Sequence, residues 1–295
     1  MTLQKQRIPI AGTALSPSEF MVTPPLKIIS SKPSTLRQFV QAFINYRHLF
    51  SLLIWRDINV RYRQTAVGLI WVALQPALFA LIFTLIFGHL AQLPSDGVPY
   101  LVFAFSGAVI WRFFSQGVDR STSSILQEES LVTKVYFPRW ILPLSHVGSA
   151  FLDFIVALFL LLILVVFERM NPGWHLLLLP VAVAMVFLLA AFIGASVALL
   201  CCKFRDFTFL VSFGLQILQF LSPVFYSVSL FGPRLGILAY LNPLTGPFEL
   251  FRLSVTGSSH FSWPGFGLSL AMDLIVLLVA ARVIYSLEDE LVDVI

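Results

Sequence analysis

Six long apolar stretches constrain this chain more than any other feature. They run roughly over residues 67–90, 98–118, 141–167, 175–200, 207–228 and 265–286. A helix needs about 20 mostly apolar residues to cross the hydrocarbon of a bilayer. Inside lipid every backbone N–H and C=O must be satisfied within the protein, which a helix does segment by segment. The composition agrees. Of the 295 residues 58% are hydrophobic and 12% charged, against about 25% charged in soluble domains. The expected fold is an all-α polytopic membrane protein with six transmembrane helices.

Lysine and arginine placement sets the orientation. With the N-terminus in the cytoplasm, all of the 19 Lys and Arg except Arg169, Arg234 and Arg252 fall in inner segments or near inner helix ends. Both termini are therefore expected in the cytoplasm. The opening residues carry positive charge with no apolar run behind them, so they are not a cleaved signal peptide. The first span is expected to act as an uncleaved signal anchor. The chain divides into a flexible Ser/Thr/Pro-rich tail (1–40), a helix at the membrane interface (41–66), the membrane domain (67–287) and a short cytoplasmic tail (288–295).

The stretch SLLIWRDINVRYRQTAVGLIWVALQP (51–76) sets arginines directly against the first span. Phe50, Ile54, Ile58 and Tyr62 recur every four residues and share a helical face. Arg56, Asp57, Asn59 and Arg63 fall largely on other faces. Such a helix lies in the interface plane, apolar side down, with its polar side offered to the cytoplasm.

Chemistry-bearing groups are sparse. The five histidines are scattered without ligand spacing. Asp119, Asp153 and Asp273 lie in or near spans, where an ionised group costs about 2.5–3.5 kcal/mol on insertion scales, and none has a partner at helical spacing. Packing or loop-capping suits them better than an ion relay. Cys201 and Cys202 are neighbours, a spacing that strains a disulfide, and read as reduced residues at a helix end. There is no G-x-x-x-x-G-K-[ST] loop, so a motor driven by ATP would have to be a separate chain.

Two aromatic stripes have helical order. Phe79, Phe83 and Phe87 are spaced by four, and Phe209, Phe213, Gln216 and Phe220 form the second. An amide facing lipid is costly, and aromatic rings beside amides suit the passage of sugars, so these seven residues are candidate conduit linings. Between the fifth and sixth spans, SPVFY, FGPRLG and LNPLTGPFELFR are broken too often by Pro and Gly for a span. They read as short helices dipping in from outside, a natural outer gate.

Taken together, RDINVRYRQTAVGLIWVALQP, EESLVTKVYFPRWILPL and LNPLTGPFELFR resemble the type-2 ABC exporter permeases for polysaccharides, the O-antigen, capsule and teichoic-acid group. The resemblance covers roughly residues 40–290. It implies a homodimer in the bacterial inner membrane, carrying no cofactor itself, with two copies of a cytoplasmic ATPase that binds ATP and Mg. It implies export of finished, lipid-linked polysaccharide, O-antigen first. By resemblance Arg56, Asp57, Arg61, Tyr62 and Arg63 belong to the ATPase-contacting helix. The loop around Gln127–Phe137, with Glu128, Glu129, Lys134, Phe137 and the adjoining Pro138, looks like the coupling helix. Asn242, Pro243, Glu249 and Arg252 mark the outer gate. Two other readings fit similar spans: an ABC-2 exporter of a small molecule, and an ion-coupled lipid or glycan flippase using Asp153 and Asp273.

Overall fold

The structure, a computed structural model, describes residues 36–63, 70–128, 131, 137–257 and 261–290. The expectations for the tail before residue 36, for Glu129 and Lys134, and for the last five residues lie outside these. Among the described residues the fold is all helical. The helices are α1 Leu36–Tyr62, α2 Ile70–Phe83, α3 Tyr100–Gln127, α4 Ile141–Phe167, α5 Leu179–Lys203, α6 Phe207–Leu221, α7 Gly232–Ala239, α8 Thr245–Thr256 and α9 Trp263–Glu290. Helix α2 continues as a π-helix over Thr84–Leu90, and 3-10 turns precede α5 and α7. Five helical segments are long and apolar enough to cross a membrane: Ile70–Leu90, Tyr100–Gln127, Ile141–Phe167, Gly173–Lys203 and Trp263–Leu287. Helix α6 is apolar but has only 15 residues.

Helix α3 is the centre of the protomer. Phe103, Ile110, Phe113 and Phe114 on it are fully buried, and they pack in one core with Phe154 and Leu161 of α4, Val186 and Leu189 of α5, and Phe248 and Phe251 of α8. Phe113 lies 5.0 Å from Phe154, centroid to centroid. Two glycines permit close approaches around this core. A Cβ on Gly107 would collide with the Val224 carbonyl, and one on Gly148 would sit 2.6 Å from Ile54 Cδ1.

Helix α3 also runs well beyond the span expected at 98–118. Its polar half, DRSTSSILQ, looks like a loop because of its composition. Its hydroxyls bond back to the helix itself: Ser121 Oγ to Gly117 O at 2.6 Å, Thr122 Oγ1 to Val118 O at 2.9 Å, Ser124 Oγ to Ser121 O at 2.7 Å. Hydroxyls satisfied this way can be buried inside a helix, and all three residues are buried.

Helix α6 departs from expectation in the other direction. The apolar run reaches residue 228, yet the helix stops at Leu221. Ser222 precedes Pro223, and the proline ring disfavours helical backbone before it; Ser222 is extended, at φ −97° and ψ 148°. The following turn returns to the end of α2. Ser227 Oγ donates to Asp96, and Ser229 Oγ donates to Asp96 Oδ1 at 2.7 Å. At the opposite end of the protomer, Ile284 and Leu287 of α9 pack against Ile125, Ala198 and Leu199 of α3 and α5.

Helix α1 begins at Leu36, within the stretch read as tail. Its stripe packs on protein. Phe50 and Ile54 press on α4 at Gly148, and Leu53, Phe50 and Phe43 join Phe137, Trp140, Ile141 and Leu142 in a separate small core. Apolar residues on other faces, Leu52, Trp55 and Val60, are exposed.

Candidate functional site

The last turns of α1 pack on α4, and their charged side chains meet Arg120 of α3 on one buried carboxylate. Asp153, on α4, is 4% exposed. Its Oδ2 accepts from Arg61 Nη1 at 2.7 Å and from Arg120 Nη1 at 2.9 Å, and its Oδ1 accepts from the Tyr62 hydroxyl at 2.8 Å. Arg61 also donates to Ser149 Oγ at 2.9 Å and to Asp57 one turn earlier. Arg120 also donates to Gln116 Oε1 at 2.9 Å. Asp57 and Asp153 balance Arg61 and Arg120, so the buried cluster is neutral. A buried carboxylate persists only when paired and hydrogen-bonded in this way.

The surroundings tune these groups. Burial would raise the Asp57 carboxyl, but the Ser149 hydrogen bond and the Arg61 charge outweigh it and hold the group below the usual carboxylate range. The Tyr62 hydroxyl is pushed up to about 12, by burial first and then by the Asp153 charge. No spacing rule finds this cluster. Its members come from α1, α3 and α4, and Asp153 has no partner on its own helix.

A second link ties α1 to the end of α3. Arg56 donates to both Glu128 oxygens, through Nη1 to Oε2 at 3.1 Å and through Nη2 to Oε1. The Arg56 side chain is 42% exposed, so this link faces solvent. Phe137 is buried against Leu53 and Trp140. Pro138 opens the turn into α4, its carbonyl accepting from Ile141 N at 3.1 Å. Arg63 is exposed. The structure thus gathers Arg56, Asp57, Arg61, Tyr62, Glu128 and Phe137 around one end of the helices.

The aromatic stripes diverge. Phe83 turns inward and stacks on Phe225 at 3.7 Å between centroids, with Phe87 behind it at 5.3 Å, while Phe79 is half exposed. Phe209, Phe213 and Phe220 are exposed on α6. Gln216 opens on a groove of about 270 Å³ with Trp111, Gln116, Asp119, Ser212 and Gln219. Ser212 donates to Asp119 there at 2.7 Å.

At the other end of the helices, α8 is buried along its whole length. Arg252 donates through Nη2 to the Pro223 and Val224 carbonyls at 2.9 and 3.2 Å, and its guanidinium lies 3.7 Å over the Phe103 ring. Glu249 accepts from the Tyr240 hydroxyl at 2.6 Å. Asn242 turns the chain into α8: it donates to Ser222 Oγ at 2.8 Å and accepts from Leu244 N at 3.0 Å. The Pro243 carbonyl accepts from Ser269 of α9 at 3.0 Å. Within α9, the Asp273 carboxylate is buried with no hydrogen-bond partner among the described residues.

A family model described as ABC-2 type transporter matches residues 48–255. The O-antigen export system permease protein RfbA of Myxococcus xanthus is 32% identical over 192 residues, covering 65% of this chain and 73% of that protein. An O-antigen export system permease protein RfbA of Klebsiella pneumoniae is 25% identical over 229 residues, 74% of this chain and 86% of its own length. The capsule polysaccharide export inner-membrane protein CtrC of Neisseria meningitidis is 22% identical over 253 residues, 83% of this chain and 93% of that protein.

Proposed function

The chain belongs to the ABC-2 type transporter family, and on that premise we propose that it is the membrane subunit of an ATP-driven exporter of lipid-linked polysaccharide, O-antigen first. It works in the bacterial inner membrane as a homodimer with two copies of a separate ATPase subunit, and both its termini are cytoplasmic. The observation that carries this reading is similarity along most of the chain to permeases named for O-antigen and capsule export.

The geometry supports six crossings. Asp96 follows α2, and the bonds from Ser227 and Ser229 hold the turn after α6 at the same level. Helix α6 therefore runs between the two faces despite its length, with the Ser222–Val228 turn completing the passage. Helices α7 and α8 then form the outer gate that re-enters from outside.

The charged end is the motor-docking end. An ATPase seated against α1 and the loop after α3 engages Arg63 and the exposed side of Arg56, beside Glu128, Glu129 and Lys134. Motion of α1 reaches the spans through Arg61, Tyr62, Asp153 and Arg120. Between two copies, Phe209, Phe213, Gln216 and Phe220, with Phe79, Phe83 and Phe87, line the path of the polymer. Rings take the sugar faces, and the amide and neighbouring polar groups take hydroxyls. Against the flippase reading, Asp153 is engaged by two arginines and a tyrosine.

Mild-detergent purification of the chain from native membranes, with stoichiometry by mass spectrometry, tests the proposal. An equimolar soluble subunit with a phosphate-binding loop is expected. The chain recovered alone from membranes that still export would sink it.

A further inference from the structure

A cavity of about 520 Å³ opens at the end of the molecule opposite the charged cluster, inside the roughly 300–1,000 Å³ typical of small-ligand sites. Asp96, Ser227, Ser229, Tyr240, Glu249 and Phe261 line it. They come from the α2–α3 connection, the turn after α6, the α7–α8 region and the entry to α9. Glu249 is 8% exposed; its Oε2 holds the Tyr240 hydroxyl, and its Oε1 has no hydrogen bond among the described residues. Asp96 sits at φ +54°, a backbone region uncommon for a residue with a side chain. Its carboxylate is fixed there by the two serine hydroxyls. The Phe261 ring is braced by Trp263 at 4.9 Å and Phe266 at 5.6 Å. Gly265 leaves the room in which Tyr240 packs.

These groups select a ligand by their chemistry. The two carboxyl groups on the wall, which the Arg252 charge reaches from behind, offer acceptors rather than donors. Carboxylate oxygens and serine hydroxyls accept from hydroxyl donors, and charge-assisted hydrogen bonds are the stronger kind. A braced phenyl ring and a tyrosine ring offer flat apolar faces to the C–H side of a ring. A bare cation would leave most of such a volume unfilled. The class that uses acceptors and flat faces together is a neutral pyranose.

We propose that this cavity is a carbohydrate-binding site that holds the first sugar units of the polymer emerging on the outer face. The proposal rests on the exporter reading above. The site grips the chain as the gate opens and keeps it from sliding back, so each grip is made by Glu249 and Asp96 and released when α7 and α8 move.

The test places a photoreactive p-benzoylphenylalanine at Ile237, which also lines the cavity, in the full-length permease working with its own ATPase in exporting cells. The same group at Trp174, exposed on another connection, is the control. After illumination the purified chain is stained for covalently attached glycan. A glycan adduct at position 237 and little at 174 is expected. Glu249→Gln should lower that adduct about tenfold, the worth of one hydrogen bond to a charged group. No glycan adduct at 237 while surface polysaccharide continues to appear would overturn the site. So would capture of a second copy of the chain instead of glycan, or an adduct unchanged by both Glu249→Gln and Asp96→Asn. A strain lacking the permease supplies the separate readout: if all of its surface polysaccharide is still displayed, the exporter reading fails, and this site with it.

Discussion

The two ends of this protomer bury charge in opposite ways. At the α1 end, Asp153 meets two arginines and a tyrosine, all side chains, delivered by three helices. At the α8 end, Arg252 binds two backbone carbonyls and an aromatic face. Side-chain pairs hold two helices together while leaving each free to shift by a rotamer. A guanidinium locked on the carbonyls of a proline turn holds the backbone itself. The first is suited to transmitting a push. The second is suited to keeping a turn in place while neighbours move.

Breaking the α1 end should have the largest effect. Asp153→Ala leaves Arg61 and Arg120 without their shared carboxylate. Removing one partner of a buried pair costs roughly 3–5 kcal/mol, and the quarter-exposed arginines put this case near the lower figure. Thermal unfolding of the purified permease should show it. A double-mutant cycle of Arg61→Met with Asp153→Ala should give a clear coupling energy, whereas additive effects would mean that the cluster is not one unit.

The α8 end breaks by a different route. Gly107→Ala drives a methyl group into the Val224 carbonyl, beside Arg252. Overpacking of this kind costs about 1–3 kcal/mol. Arg252→Lys should cost a similar amount, because an ammonium lacks the planar fork and stacks less well on Phe103. High salt should leave both losses unchanged, since the groups lie out of solvent; a strong salt dependence would contradict the assignment.

Smaller effects sharpen the contrast. Arg56→Ala and Glu128→Gln should each cost no more than about 1 kcal/mol of stability, because the pair faces solvent. Their larger consequence should appear in ATPase-driven export, read in vesicles. Mild acid should leave the Asp57 contribution intact. Asp57 has its folded pKa below the ordinary value of 3.8, so its contribution is complete above that value and is lost only as pH falls through the lower, folded one. Unfolding followed from pH 8 down to 3 should show no loss from Asp57 until the bottom of that range. Loss near pH 6 would mean that another group governs the cluster.

The spans were legible because lipid demands length and apolarity, and five long helices stand where the apolar runs stand. The interior of α3 beyond residue 118 was not, since serine and threonine look like loop until their hydroxyls are seen bonding back along the helix. The end of α6 was written in Pro223, which outranked the hydrophobicity that continued past it. The α1 stripe was legible as a pattern, but its partner was not: a period-four face does not say whether lipid or Gly148 of α4 will cover it. Asp153 shows the limit most plainly. Its partners lie 33, 91 and 92 positions away, where no local rule reaches. The cavity beside Glu249 depends on four chain segments meeting; LNPLTGPFELFR carries Glu249, but nothing in the sequence says what meets it.

Helix α3 has 28 residues, about 42 Å at 1.5 Å per residue. The Tyr100 hydroxyl at one end bonds the Phe225 carbonyl of the turn after α6 at 2.6 Å; at the other, Glu128 follows directly and is held by Arg56. A single unbroken rod therefore touches the α1 end and the turn after α6, with Gly107 and Arg120 along its length. By the geometry of a lever, a tilt of roughly 5° about one tip would carry the other by nearly 4 Å over that length, about the width of the gap between stacked rings. A stroke of that size needs no relay of small rearrangements, only a shaft stiff enough to be turned from one end.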